Sequence, residues 1–355
     1  MIIIILFTII VILSTPFFIY DAYLKIRSMY CRFHIGRWSD RKVWQAAVEK
    51  KCIEWFYKTP SVPISDEKRF VLWDIIRHKH SNSTIKSWQY AGLLLGLDNK
   101  YSTIYLKGHN PILSNDIENA LLIYVLWKKH ALDDIDLNKY AKLLLGEKEE
   151  TIPYRKRLPN IRFVDTIGMV LPLLVACKQQ ERAILQLKEY EPALLNGIFP
   201  AHAYDIVRGL PLGIYDWGRG LGWYILGVTE ANIDSSLDSL IVRTADNLLS
   251  IQKSNGGLNC KYFTESHLES SGTAMLGILF INAFKITHNI IYYTAALKAE
   301  KCLMSITRRN GEIDFAQGDT KGIGTYSNNF DIMPFTQGMA LYLSHEIDKY
   351  STCAH

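Results

Sequence analysis

The segment Tyr215-Asp216-Trp217-Gly218-Arg219-Gly220-Leu221-Gly222-Trp223-Tyr224 concentrates residues capable of chemistry. Two tryptophans, an arginine and three glycines fall within seven residues, directly ahead of an apolar run with helical spacing. Glycine lets backbone come close to a ligand, and an indole offers a flat apolar face to the C–H side of a sugar ring. A guanidinium holds a carboxylate through paired hydrogen bonds. One such tryptophan would read as core filling. The whole cluster reads as a carbohydrate site, with Arg219 suited to an acidic group.

Other segments place polar residues beside glycines and aromatics. Arg162-Phe163-Val164-Asp165-Thr166 precedes Gly168-Met169 and Leu171-Pro172. His202-Ala203-Tyr204-Asp205 comes next, and Glu269-Ser270-Ser271-Gly272-Thr273-Ala274-Met275 opens a later helix. The stretch Gly311 to Gly338 contains Gly318, Gly322, Gly324, Tyr326 and Pro334. Upstream lie Ser87-Trp88-Gln89-Tyr90 and Asn115-Asp116-Ile117-Glu118-Asn119.

In this order the segments resemble the unsaturated glycuronyl and rhamnogalacturonyl hydrolases of glycoside hydrolase families 88 and 105. The 217–223 string is similar to their Trp-Gly-Arg-Gly-x-Gly-Trp signature. Segment 162–166 resembles their Trp-x-Asp, with Phe163 in place of the tryptophan. Segment 202–205 resembles their His-x-aromatic-Asp, and 269–275 their Glu-Thr-Ser-Ala-Ser-Ala-Met helix start. The 311–338 stretch is similar to the closing loop and last helix. The likeness covers about residues 84–348 and is densest from 162 onward.

The resemblance implies hydrolysis of oligosaccharides bearing a 4,5-unsaturated uronic acid at the non-reducing end. The vinyl ether is hydrated, which requires a carboxyl group that first donates a proton and then accepts one from water. It implies Asp165 as that acid/base and Asp116 as a second carboxylate. His202 and Arg219 would bind polar groups of the substrate, Trp217 and Trp223 would stack on it, and Trp88 and Tyr90 would form a further aromatic wall. No metal or organic cofactor is implied. Asp116 reads equally well as a helix N-cap, and a cap is also open for Asp165, Glu269 and Ser270. The alternative function is a non-catalytic, membrane-associated saccharide-binding or polysaccharide-assembly protein on the same fold. A lyase, or a hydrolase of saturated glycosides, would be a third reading.

The elements that must position these residues are helical. Apolar periodicity near 3.6 predicts helices at 40–57, 66–78, 84–97, 115–129, 137–146, 165–176, 179–190, 219–231, 235–252, 270–286, 290–306 and 335–348. Tyr101 to Lys107 reads as a short strand or extended loop. Long non-helical stretches at 98–114, 147–164, 192–218, 254–269 and 307–334 are where function is expected. Twelve helices closing as six hairpins predict an all-α, (α/α)6 toroid, although spacing alone also allows an open solenoid. No glycine-rich strand-turn-helix indicates a dinucleotide or nucleoside-triphosphate site.

The chain has 355 residues, 48% of them hydrophobic, which suits a large core. Its net charge of +5 is spread out, without a basic arm for nucleic acid. The cysteines at 31, 52, 177, 260, 302 and 353 show no Cys-x-x-Cys spacing and read as small buried hydrophobes. Ile2 to Tyr20 carries no charge and is long enough, as a helix, to cross a bilayer. Basic residues from Lys25 to Lys42 follow it and none precedes it. The positive-inside rule then favours the cytoplasmic side for the body, a bias that a domain needing export could override, which leaves the periplasmic or extracellular side open. The expected organisation is a membrane segment with its basic flank at 1–38 and a toroid at 39–355. Oligomeric state is not indicated.

Overall fold

The computed structural model describes residues 1–58, 60, 62–63, 80–81, 87–109, 117–146 and 150–351. Their helices are α1 (Ile2–Arg32), α2 (Arg41–Tyr57), α3 (Ser87–Gly96), α4 (Asn99–Gly108), α5 (Asn119–Lys128), α6 (Asp134–Leu145) and α7 (Val164–Ala176). They continue with α8 (Gln180–Tyr190), α9 (Gly218–Glu230), α10 (Asp238–Leu249), α11 (Ser270–Thr287), α12 (Ile290–Ser305) and α13 (Pro334–Asp348). The helix expected at 66–78 lies outside the described residues.

The odd-numbered helices from α3 to α13 form an inner ring. Each packs on the next, and α13 returns against α3 to close the circle. Helices α2, α4, α6, α8, α10 and α12 form the outer layer, each against an inner neighbour. This is the double-layered (α/α)6 toroid.

The sequence explains which helix takes which layer. An inner helix is covered on all sides and must be apolar all round. All of α9 is buried, and in α7 every residue but Asp165 is buried. An outer helix needs one apolar stripe, and α10 buries Ile241, Thr244, Ala245 and Leu248, at i, i+3, i+4 and i+7. Where inner helices meet, glycine permits close approach. A Cβ at Gly338 of α13 would overlap the Gly92 carbonyl of α3, and one at Gly168 of α7 would lie 2.8 Å from the Trp223 ring and carbonyl.

Short strands decorate the loops: β1 (Val62–Pro63), β2 (His80–Ser81), β3 (Ile161–Phe163), β4 (Leu194–Leu195), β5 (Phe199–Pro200), β6 (Ala203–Asp205), β7 (Leu210–Leu212), β8 (Ala316–Gln317) and β9 (Phe330–Asp331). Strands β3, β6 and β7 form an antiparallel sheet, and the others pair in twos. Phe163 registers with Ala203, and Val164 N–H donates to the His202 carbonyl at 3.0 Å. The start of α7 is thereby pinned beside His202.

The 101–107 stretch, expected as strand or loop, lies inside α4. Tyr101, Ser102 and Tyr105 share its buried side, so packing against the ring overrides the strand propensity of its tyrosines.

Helix α1 stands apart from the ring. Ile2–Tyr23 is long and apolar enough to cross a membrane, with a mean hydropathy of 2.9 and none of that window buried. Its C-terminal end docks on the toroid. Arg309 N–H donates to the Cys31 carbonyl, and Gly36 N–H to that of Thr307. The Trp38 indole donates to the carbonyls of Thr307 and Arg308. Arg32 grips Asp314 in bidentate fashion, Nε to Oδ2 at 2.5 Å and Nη2 to Oδ1 at 2.9 Å.

Candidate active site

The N-terminal ends of four inner helices meet at one mouth of the ring and line a cavity of about 290 Å³. Trp88 comes from the first turn of α3, and Glu118 stands just before α5. Asp165 is the second residue of α7, while Trp217 and Arg219 flank the start of α9. Trp223, one turn further along α9, packs against Trp88 and Phe335 at ring-centroid distances of 5.5 and 5.0 Å and forms the floor. Helix N-termini carry partial positive charge, so this end of the ring favours an anionic ligand.

Six of the residues anticipated from sequence therefore share one cavity: Asp165, His202, Trp217, Arg219, Trp223 and Trp88. Tyr90 is not among its lining residues. It packs against Tyr105 and His109 at 5.1 and 6.1 Å, because two positions along a helix from Trp88 is a different face. Asp116 lies outside the described residues. Glu269 is a cap: its carboxylate accepts from the Ser271 and Gly272 amides at the start of α11 and from the Gln317 amide. Asp205 turns the chain by accepting from the amides of Val207 and Arg208.

Asp165 is not used as a cap, since Phe163 holds the N-cap position of α7. Its side chain is only 15% exposed, and Oδ2 has no hydrogen-bond partner among the described residues. Burial pushes its pKa up to about 7, and the nearby charges of Asp319 and Glu118 add to the rise against the opposing Arg219. His202 Nε2 stands 3.9 Å from that Oδ2. Burial, with the Arg219 charge behind it, pulls the His202 pKa down to about 4. Near neutral pH the pair is thus a neutral imidazole beside a carboxyl poised between its two states, and not an ion pair.

Arg219 lines the cavity and is also held by the protein itself. Its Nη1 donates to the Gln317 carbonyl and its Nη2 to the Gly318 carbonyl, with the guanidinium 5.8 Å from the Trp217 ring centroid. It braces the loop between β8 and β9 and contributes charge to the cavity from beneath. The Trp217 indole donates to Gln317 Oε1, and its ring forms a triangle with His202 and Tyr326, at 4.6 and 5.3 Å from them. Phe163 keeps an aromatic wall, set edge-on to His202 at 5.6 Å.

Several lining residues escaped the sequence reading. Tyr154 donates to Glu118 Oε1 at 2.8 Å, which makes Glu118 a second carboxylate on the wall. Arg155 and Arg157 come from the 147–164 stretch, and Asp319, Thr320 and Lys321 from the 307–334 stretch. The 147–164 stretch had been marked by length, and the 307–334 stretch by length and by its likeness to the family's closing loop, but neither signal singled out these residues.

No protein-family model matches the sequence, and no curated protein matches it. Solved structures do. A possible member of glycoside hydrolase family 105 from Klebsiella pneumoniae superposes with a TM-score of 0.69 at 15% identity, over 88% of this chain and 95% of that one. The unsaturated glucuronyl hydrolase of Bacillus sp. GL1, responsible for the degradation of glycosaminoglycan, gives 0.59 at 15% identity over 88% and 96%. An unsaturated glucuronyl hydrolase specific for heparin gives 0.64 at 13% identity over 87% and 98%. Identity this low speaks for architecture, and the architecture of this chain is that of the six-hairpin glycosidases of families 105 and 88.

Proposed function

We propose that this chain is a glycosidase acting on oligosaccharides with a 4,5-unsaturated uronic acid at the non-reducing end, and that it works by hydrating the vinyl ether. The observation that carries the reading is Asp165, a carboxyl group in an aromatic-walled cavity, with no hydrogen-bond partner at Oδ2 among the described residues and pushed up to about 7 by burial. A general acid that must later act as base performs best with a pKa near the working pH.

In the forward reaction the Asp165 proton passes to C4. Positive charge develops at C5 and the ring oxygen, and the ionised carboxylate beside it stabilises that charge. Water adds at C5 and gives its proton back to Asp165. The resulting hemiketal opens and releases the rest of the saccharide. Glu118 raises the proton affinity of Asp165, as a second carboxylate in the site would. Neutral His202 offers hydrogen bonds to the sugar, and Trp217 offers an aromatic face. The helix N-termini, with Arg155, Arg157 and Lys321 at the cavity, suit the substrate carboxylate. Helix α1 would hold the enzyme at a membrane, with the basic residues after it favouring the cytoplasmic side.

The test is incubation with lyase-generated unsaturated disaccharides, following the ultraviolet absorbance of the conjugated double bond. The wild type should bleach it and Asp165→Asn should not, while keeping its helical circular dichroism. A folded wild-type protein that binds these glycans without bleaching any of them would be a saccharide-binding protein instead.

A further inference from the structure

The loop from Asp314 to Asp331 forms a strap over the cavity. Its middle, Asp319 to Ile323, is cavity wall. Its neck is closed by β8 pairing with β9 and by the Gly318 amide donating to the Asn329 carbonyl at 2.9 Å. Below the neck, both roots of the strap converge on one side chain of the apolar helix. Arg32 holds Asp314 through two hydrogen bonds, donates to the Phe330 carbonyl at 3.4 Å and lies 3.9 Å from the Asp331 carboxylate.

Arg308 supports the same cluster from the toroid side, with Nε 2.7 Å from Asp314 and Nη2 2.6 Å from Asp331. The Asp314 side chain is fully buried, and although burial pushes its pKa up, the hydrogen bonds from Arg32 and Arg308 outweigh this and hold it below the usual carboxylate range. The end of α1 is fixed independently, through the Arg309 amide on the Cys31 carbonyl and the Arg309 guanidinium 4.3 Å from the Tyr30 ring centroid.

We infer that α1 is more than a tether: Arg32 is a positioning residue that clamps both roots of the strap and so sets the cavity wall formed by residues 319–323. Taking away Arg32 leaves a buried carboxylate with one cation where it had two, and Arg308 must then span both roots alone. The neck opens more often and the wall is less often in place. The kinetic part of this inference rests on the cavity being the saccharide site. The structural part does not.

The experiment compares the full-length wild type, Arg32→Ala and Arg32→Lys in the same detergent, first by hydrogen exchange without ligand. Arg32→Ala should speed exchange of the 316–331 amides about tenfold and leave α11 unchanged. Arg32→Lys keeps the charge without the two-pronged grip and should fall between. It also decides the matter if the alanine variant does not fold. In turnover of unsaturated disaccharides the expected change is a rise in KM of about fivefold with a smaller fall in kcat, since the wall mainly binds and only the Asp319 charge on it bears on the Asp165 proton. Unchanged strap exchange in both variants, or equal acceleration throughout α11, overturns the inference. So does a fall in kcat at constant KM. If the wild type turns over none of these substrates, the proposed activity fails while the exchange result still decides the role of Arg32.

Discussion

Asp165→Asn should do two opposite things: remove activity and stabilise the fold at alkaline pH. The native carboxyl keeps its proton up to about pH 7, whereas in the unfolded chain it ionises near the ordinary 3.8. Between those values the unfolded state releases a proton that the folded state retains. The wild type therefore loses stability as pH climbs through this window and levels off above it. A rise of about three pH units at about 1.4 kcal/mol each is about 4 kcal/mol at pH 8, and under about 2 kcal/mol at pH 5. Water reaching the cavity reduces both figures. Asparagine has no such penalty, so its advantage over wild type should grow by about 2 kcal/mol from pH 5 to pH 8. The low pKa of His202 works in the opposite direction, but it is common to both proteins and drops out of the difference. Denaturant unfolding of the two proteins in the same detergent at the two pH values reads the quantity directly. A gain equal at both pH values, or absent at pH 8, would show that Asp165 is not held protonated and would remove the basis for its role as an acid.

His202→Gln should protect the fold in acid. Depression of the His202 pKa to about 4 gives stability that is present above about pH 6.5 and lost as pH falls toward 4, so the variant should gain about 2–3 kcal/mol at pH 4, measured by unfolding at pH 7 and pH 4. Glu230→Ala removes the carboxylate that Lys128, Tyr124 and Tyr342 share, leaving Tyr124 only the residue-230 carbonyl and Lys128 and Tyr342 only each other, and should cost about 3 kcal/mol in thermal or denaturant unfolding. Gly338→Ala pushes α13 off the Gly92 carbonyl, and a loss of about 1–3 kcal/mol with a lower melting temperature is expected.

The helices could be read from the sequence as apolar periodic runs, whereas their sorting into an inner ring and an outer layer could not, because periodicity alone also allows an open solenoid. The candidate site was legible where one segment carries several of its residues, as in 217–223. It was obscure where partners are remote. Nothing around Arg219 in the sequence announces the carbonyls of Gln317 and Gly318, almost a hundred residues away, that hold it. Ser87-Trp88-Gln89-Tyr90 shows the limit of reading aromatics as a group, since helical geometry turns Trp88 to the cavity and Tyr90 toward Tyr105. Glu118 gave no sign of its own in the sequence, because its partner Tyr154 sits in an irregular loop far along the chain.

The return of α13 against α3 has a consequence for biosynthesis. The seam between them joins Gly92 and Gly96 to Gly338 and Leu341, some 240 residues apart along the chain. Contacts of such long range form late and slow the search for the native state. While a ribosome is still adding residues 334–348, the flank of α3 that will receive them is uncovered apolar surface. The nascent chain passes through that half-made condition, and it is at this stage that a chaperone would have the most to shield.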